Sequence, residues 1–245
     1  MTTADSPHRG DGWAAAVRRR TGLGRLLPLG GPADGAWISE RAAVAVLRDA
    51  TSGPGAGPVL GRLRIRAAGP APTPGPGPEP PPGALPPGPL RMEADMSAVP
   101  GRPLPAEAAA LRSSLLAAAD RNVGLVVSEV DVHVTELVET PPGPRAAAPV
   151  EVHPARPEGP RGAAAAEVPG VATLTRVLGG AVHAGPGHVR IELATEPGHR
   201  VLDVARAVRT AVVNASADRP SVVVLVTAVV GRDDVPQAPS GAFSR

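Results

Sequence analysis

Cysteine, lysine and tyrosine are absent from the 245 residues, and the only aromatic side chains are Trp13, Trp37 and Phe243. Without cysteine there is no disulfide, no thiolate metal site and no cysteine nucleophile. Three scattered rings cannot build a base-stacking platform for single-stranded nucleic acid. The 25 basic residues are all arginine and face 23 acids, which leaves a net charge of +2. The isoelectric point near 10.6 therefore reflects arginine's high pKa, with no Cys or Tyr to titrate below it. It does not describe the concentrated positive field of a nucleic-acid-binding domain. Residues 1–9 lack the apolar core of a signal peptide, and no apolar run approaches the ~20 residues of a membrane-spanning helix. The longest, 222–230, is Val-rich and reads as a buried strand. The expected location is the cytoplasm, with no integral membrane segment.

Catalytic signatures are missing too. There is no Gly-x-Ser-x-Gly elbow, no Walker loop and no dinucleotide-type glycine fingerprint after a strand. An enzyme is not expected, and no cofactor is implied.

What the chain does have is proline and glycine, 32 and 29 residues, about a quarter of the length. Residues 67–89 contain 11 prolines in 23 positions, and residues 140–162 form a second such tract. Tracts of this composition favour extended polyproline II over a packed core. The composition divides the chain into a basic leader (1–36), a first α/β unit (37–139) with a Pro-rich insert (67–89), a Pro-rich linker (140–162), a second α/β unit (163–230) and a disordered tail (231–245). The tail carries the Asp233–Asp234 pair, too solvated for pKa tuning. The insert joins two strands of one sheet and is far longer than a hairpin needs. It is expected to project as a loose arm whose deletion changes stability little.

In the first unit Ser39 is placed to cap a helix reaching residue 50, with Glu40 suited to its N-terminal dipole. Residues 59–66 alternate Leu63 and Ile65 against Arg62, Arg64 and Arg66, the period of a half-buried strand. Residues 90–96 alternate again. A helix over 105–121 puts Ala108, Leu111, Leu115 and Ala118 on one face, and a strand over 126–137 turns Val130, Val132 and Val134 inward. The second unit follows the same order: a strand over 171–178, a turn-rich stretch over 179–187, a strand over 188–195, a helix over 200–215 and a strand over 221–230. LRMEA at 90–94 matches VRIEL at 189–193, and VDVHVTELV at 130–138 matches VVVLVTAVV at 222–230, with Thr135 against Thr227. The expected fold is α+β: two tandem α-β-β-α-β units, each a three-stranded sheet with a helix on one face. The second unit lacks a full opening helix, having only residues 163–168 in its place.

The run Ile38-Ser39-Glu40-Arg41-Ala42-Ala43, followed by two strands, a helix and Val123-Gly124-Leu125-Val126-Val127-Ser128-Glu129-Val130-Asp131-Val132-His133-Val134, resembles the alkaline shock protein family of the bacterial envelope-stress response. In that family a TGL-V-VNVHV ending follows the second helix. The resemblance covers residues 37–138, and more weakly 163–230. It implies a compact α-β-β-α-β fold, no catalytic activity, self-association, and membrane attachment through an anchoring protein partner. Three features depart from the family: two units instead of one, the Pro-rich insert, and a final strand without polar alternation. The two-block form is also similar to actinobacterial proteins grouped with the nucleopolyhedrovirus p-ten family. That grouping predicts coiled-coil heptads, which the chain lacks.

The leading reading is a non-enzymatic scaffold or interaction protein of envelope-stress type, acting through protein–protein contacts. The alternative is a KH-like nucleic-acid-binding module, since KH domains share the α-β-β-α-β order. They need a Gly-x-x-Gly loop to clamp the phosphate backbone, and the only such spacing, at 159–162, falls in the linker. Candidate contacts with a partner or an anionic surface are Arg18, Arg19, Arg20 and Arg25 of the leader, and Arg62, Arg64 and Arg66 of the sheet. The leader sets its arginines among Trp13, Val17, Leu23, Leu26 and Leu27, a pattern suited to peripheral binding at the inner face of the cell membrane. Gly22, Gly24 and Pro28 interrupt any helix there, which favours a packed arm instead. His183, His188 and His199, with Glu192 on an adjacent strand, lack the spacing of a metal site.

Overall fold

The computed structural model describes residues 22–52, 58–70, 77–139 and 151–236. Among these, helices and two mixed sheets make an α+β fold. The chain first lays down β1 (Leu26–Leu29) and β2 (Ala36–Ser39), an antiparallel pair. Pro28 is tolerated in β1 because this strand is the sheet's edge, where a missing N–H breaks no ladder. Ser39 then starts α1 (Glu40–Thr51), its Oγ accepting the Ala42 N–H at 3.2 Å.

The smaller sheet follows. β3 (Val59–Ala67) and β4 (Leu90–Ala98) are antiparallel, and α2 (Leu104–Ala118) crosses over to β5 (Val127–Leu137), parallel to β4. Leu63, Ile65, Met92, Ala94, Met96 and Val130 form its buried face, against Leu111, Leu115 and Ala118 of α2. α2 ends in a π-turn, Ala119–Val123, closed by Gly124 at φ 91°.

The larger sheet has the order β1-β2-β10-β9-β7-β6. Its later strands are β6 (Pro154–Ala155), β7 (Val171–Thr175), β8 (Val182–Gly185), β9 (His188–Thr195) and β10 (Ser221–Val229). β8 pairs with β9 off the main path. The helices α3 (Gly159–Ala166) and α4 (Val201–Asn214) cover one face. β7 and β9 are antiparallel, β9 and β10 parallel with α4 as the crossover, so the order and sense of β3-β4-α2-β5 occur a second time. α3 precedes β7 where the sequence pattern shows only residues 163–168 in place of a full opening helix.

Several expectations change. The second sheet has seven strands, not three: β1 and β2 join it from residues read as leader and as the start of the first unit, β6 joins from the stretch read as a Pro-rich linker, and β8 pairs with β9. β2 pairs in parallel with β10, Val224 opposite Ala36 and Val226 opposite Ile38. β8 occupies part of the predicted turn at 179–187. The tail begins with a docked turn at Arg232–Asp234, where Arg232 donates to Val171 O and pairs with Glu196. Residues 237–245 lie outside the described residues, as do 71–76 and 140–150.

The Pro-rich insert is the largest correction. Its residues 77–89 run across the face of the larger sheet opposite α3 and α4. Trp37, fully buried in β2, donates its indole N–H to Leu85 O at 3.0 Å, and the Leu85 N–H bonds to Leu26 O at 2.9 Å. Under this strap lie Leu23, Leu26, Trp37, Val177, Val223 and Leu225, a second apolar cluster that would otherwise face water. An indole N–H buried without an acceptor is costly, which is why a proline tract with few hydrogen-bond donors of its own still packs here. Ala68 N–H bonds Pro89 O at 2.9 Å. Deleting residues 70–87 thus leaves a Gly69–Gly88 two-residue turn that β3 and β4 can accept. The expected outcome is an intact far-ultraviolet dichroism spectrum and a melting temperature lowered by several degrees. An unchanged melting temperature would restore the projecting arm.

The two sheets meet through α1, which packs on α2 and β3 on one side and on β2 and β10 on the other. The π-turn docks on α4 beside it. A Cβ on Gly124 would overlap Leu202 Cβ and lie 2.9 Å from Leu202 Cδ2. The Gly124 carbonyl accepts the Gly30 N–H, and Arg200 donates to Asp120 O at 2.8 Å. Gly124→Ala combines a left-handed φ with this overlap, and should cost on the order of 1–3 kcal/mol in urea denaturation.

Candidate functional site

The sequence-predicted arginines fall in three places. Arg18, Arg19 and Arg20 lie outside the described residues. Arg25 is tied down: its guanidinium pairs with Glu40 at 3.3 Å and donates to Ile65 O at 2.8 Å. Arg62, Arg64 and Arg66 stand on the outer face of the smaller sheet. There they join Arg91 opposite Glu93, Asp95, Glu129 and Asp131, four cations against four acids, with Arg66–Glu93, Arg91–Glu129 and Arg91–Asp131 as ion pairs. This is a neutral, interlaced face, not a phosphate track.

The Gly159–Gly162 spacing opens α3 and does not form a loop. Gly162 is buried, and Arg161 bonds Ser216 at 2.8 Å and Asp218 at 2.7 Å. His183 and His188 sit on the β8–β9 hairpin with ring centroids 6.4 Å apart. Among the described residues no three His, Asp or Glu side chains are grouped to hold a metal. Glu192 is fully buried on the strap side of β9, accepting the Val177 and Leu178 N–H groups at 2.8 and 2.9 Å, with Arg190 at 3.1 Å. Burial pushes its carboxyl above the ordinary range, against the pull of those N–H groups and of Arg190. It organises the 177–178 segment and is not available as a ligand.

The two edges of the smaller sheet differ. Along β3, Arg25 covers Ile65 O, while Arg48 of α1 covers Leu60 O at 3.2 Å and also donates to Gly61 O. Along β5 Arg112 covers Val130 O at 2.9 Å, and beyond it the strand emerges. Val134, predicted to face inward with Val130, is 41 % exposed, and Leu137 is 60 % exposed. Glu136 and Glu139, beside them, have no ion pair among the described residues.

A cleft of about 470 Å³ lies where the two halves meet, unsuspected from the sequence. Its walls come from α1 (Asp49), the π-turn (Arg121, Asn122), the turn before α4 (His199) and the segment after β10 (Asp234), over an apolar floor that includes Val46 and Val230. No sequence signal groups these positions, since only the fold brings them together.

Comparisons with protein-family models, curated proteins and solved structures gave no match. No helix among the described residues is long and apolar enough to cross a membrane.

One further ion pair fixes the chain before β2. Asp34 accepts from Arg206 of α4 at 2.8 and 3.1 Å, and its carboxylate also takes the Gly31 N–H. The Arg206 guanidinium holds the Asp34 carboxyl below the ordinary aspartate range, with burial opposing and the Gly31 N–H assisting. A depressed folded pKa stabilises at pH above the unfolded value and is lost as pH falls through the folded one. Asp34→Asn should therefore lower stability at pH 7 by roughly 1 kcal/mol, with Arg206 screened by solvent. It should also flatten the acid limb of stability against pH, read by denaturant titration from pH 7 to 2.

Proposed function

We propose that this chain is a non-enzymatic interaction protein of the envelope-stress type implied by its resemblance to the alkaline shock protein family, and that it takes its protein partner along β5. The observation that carries the reading is the asymmetry of the smaller sheet. One edge is capped by two arginines, while the other presents the end of an 11-residue strand with Val134 and Leu137 exposed. An uncovered strand edge is a template for an added strand, where main-chain hydrogen bonds give affinity and alternate side chains give specificity. The occupant this edge favours is an extended segment of a partner, alternating apolar and basic residues. Its apolar positions would cover Val134 and Leu137, and its basic ones would meet Glu136 and Glu139. A membrane-anchoring partner presenting such a segment would hold the chain at the inner face of the cell membrane without a span of its own. The nucleic-acid alternative has less support, because Arg62, Arg64 and Arg66 share their sheet face with Glu93, Asp95, Glu129 and Asp131.

A peptide alternating Val and Lys tests this. Hydrogen exchange should show it protecting amides within 131–138. Val134→Lys together with Glu136→Lys should weaken binding by about tenfold or more, with the dichroism spectrum unchanged. Protection elsewhere, or none, removes the β5 reading. Binding of homopolymeric RNA with a steep loss on added salt would favour the nucleic-acid alternative instead.

A further inference from the structure

The cleft between the halves is of the size that holds a small ligand. It sits at the C-terminal ends of the parallel strands β9 and β10, the end of such strands where ligands are commonly bound. One stretch of its wall is a π-turn, a local irregularity that recurs at functional sites.

Its polar groups distinguish it further. Asp49, Arg121, Asn122, His199 and Asp234 all line it, and none has a side-chain hydrogen bond or ion pair among the described residues. Arg200, also in the wall, is occupied with Asp120 and Asp203. The cleft thus offers one uncommitted guanidinium and two uncommitted carboxylates over an apolar floor of Ala45, Val46, Val201, Val229 and Val230. A simple anion would meet Arg121 but also Asp49 and Asp234. A simple cation would leave Arg121 unanswered. A molecule that carries both charges on an apolar body answers all of them.

We propose that this cleft binds a small zwitterion with an apolar body, the chemistry shared by apolar amino acids and short apolar peptides. The carboxylate goes to Arg121 and Asn122, the ammonium to Asp49 and Asp234, and the apolar part to the valine floor. Because both halves of the chain supply walls, the ligand would also brace them against each other. This site is independent of the β5 edge.

Calorimetric titration of the full chain tests the idea with leucine, phenylalanine and the dipeptide Leu-Leu. The controls are 4-methylpentanoate, which lacks the ammonium, and 3-methylbutylamine, which lacks the carboxylate. The expected result is binding of at least one zwitterion, at least about tenfold tighter than either control. Comparing the amino acids with the dipeptide identifies the source. Arg121→Ala and Asp49→Asn should each weaken that binding by about tenfold or more. Both side chains are exposed and lack partners among the described residues, so the ligand-free melting temperature should not move. Arg62→Ala, on the far sheet face, should leave binding as it was. Absence of heat with every zwitterion up to about 10 mM, a range that reaches very weak complexes, overturns the proposal. So does equal binding of either control.

Discussion

Strand β2 lies beside β10 in parallel, with Ser39 at its end donating its hydroxyl to Thr227 O at 2.9 Å across 188 positions of sequence. The same oxygen accepts the Ala42 N–H and so starts α1. One side chain therefore fixes both the join between the halves and the direction in which the first helix leaves the sheet. Thr227 continues the line, its hydroxyl meeting Thr175 Oγ1 at 2.9 Å and Leu193 O at 3.2 Å. A buried hydroxyl is tolerated only when it is satisfied, so this row specifies which strands meet. With β2 in place, α1 has to stand between the two sheets, the π-turn has to reach α4, and the cleft between the halves has to exist.

The strap follows from the same pairing. Once β2 enters the larger sheet, Trp37 is carried onto the face opposite α3 and α4, and its N–H needs an acceptor there. The insert between β3 and β4 begins and ends in the smaller sheet, yet it reaches across to provide Leu85 O. Its length is thus explained by the distance it spans. Loop-closure entropy rises only with the logarithm of length, so the long excursion adds little cost beyond that of a shorter loop. The burial of the Leu26, Val223 and Leu225 side offsets that cost.

The parts of this fold that were legible in the sequence are those set by local chemistry. Ser39 as a cap, the Leu111–Leu115 stripe and the alternation around Ile65 and Met92 all predict the elements that form. What could not be read was set at long range. Leu26–Leu29 lies in a basic, glycine-interrupted stretch with a proline, and its partner strand is only four residues long. Nothing local distinguishes such a segment from a packed arm, because the β1–β2 pair is joined to the sheet only through β10, near the other end of the chain. The arginines of β3 were readable as a sheet face, but their neutralisation was not, since it depends on which acids of β4 and β5 fall opposite. The cleft was invisible for the same reason: positions 49, 121, 199 and 234 share no spacing.

The letter match between the halves shows how far pattern can carry register. Aligning LRMEA with VRIEL and VDVHVTELV with VVVLVTAVV would set Leu90 opposite Val130, as Val189 is opposite Val222. In the ladders Val189 does face Val222, but Val130 faces Met92, two residues further along β4. A two-residue shift keeps every side chain on its own face, so alternation alone does not detect it. The β4–β5 ladder also carries irregularities near residues 127–129 and 134–136 of β5. β10 is held on both sides by β2 and β9, whereas among the described residues β5 has a neighbour on one side only. That difference also separates Thr227, locked in the buried hydroxyl row, from Thr135, which lies exposed on an edge. The order and sense of pairing recur in the two halves. The neighbours differ, and among the described residues they leave one final strand buried in the centre of a sheet and the other at a sheet's edge.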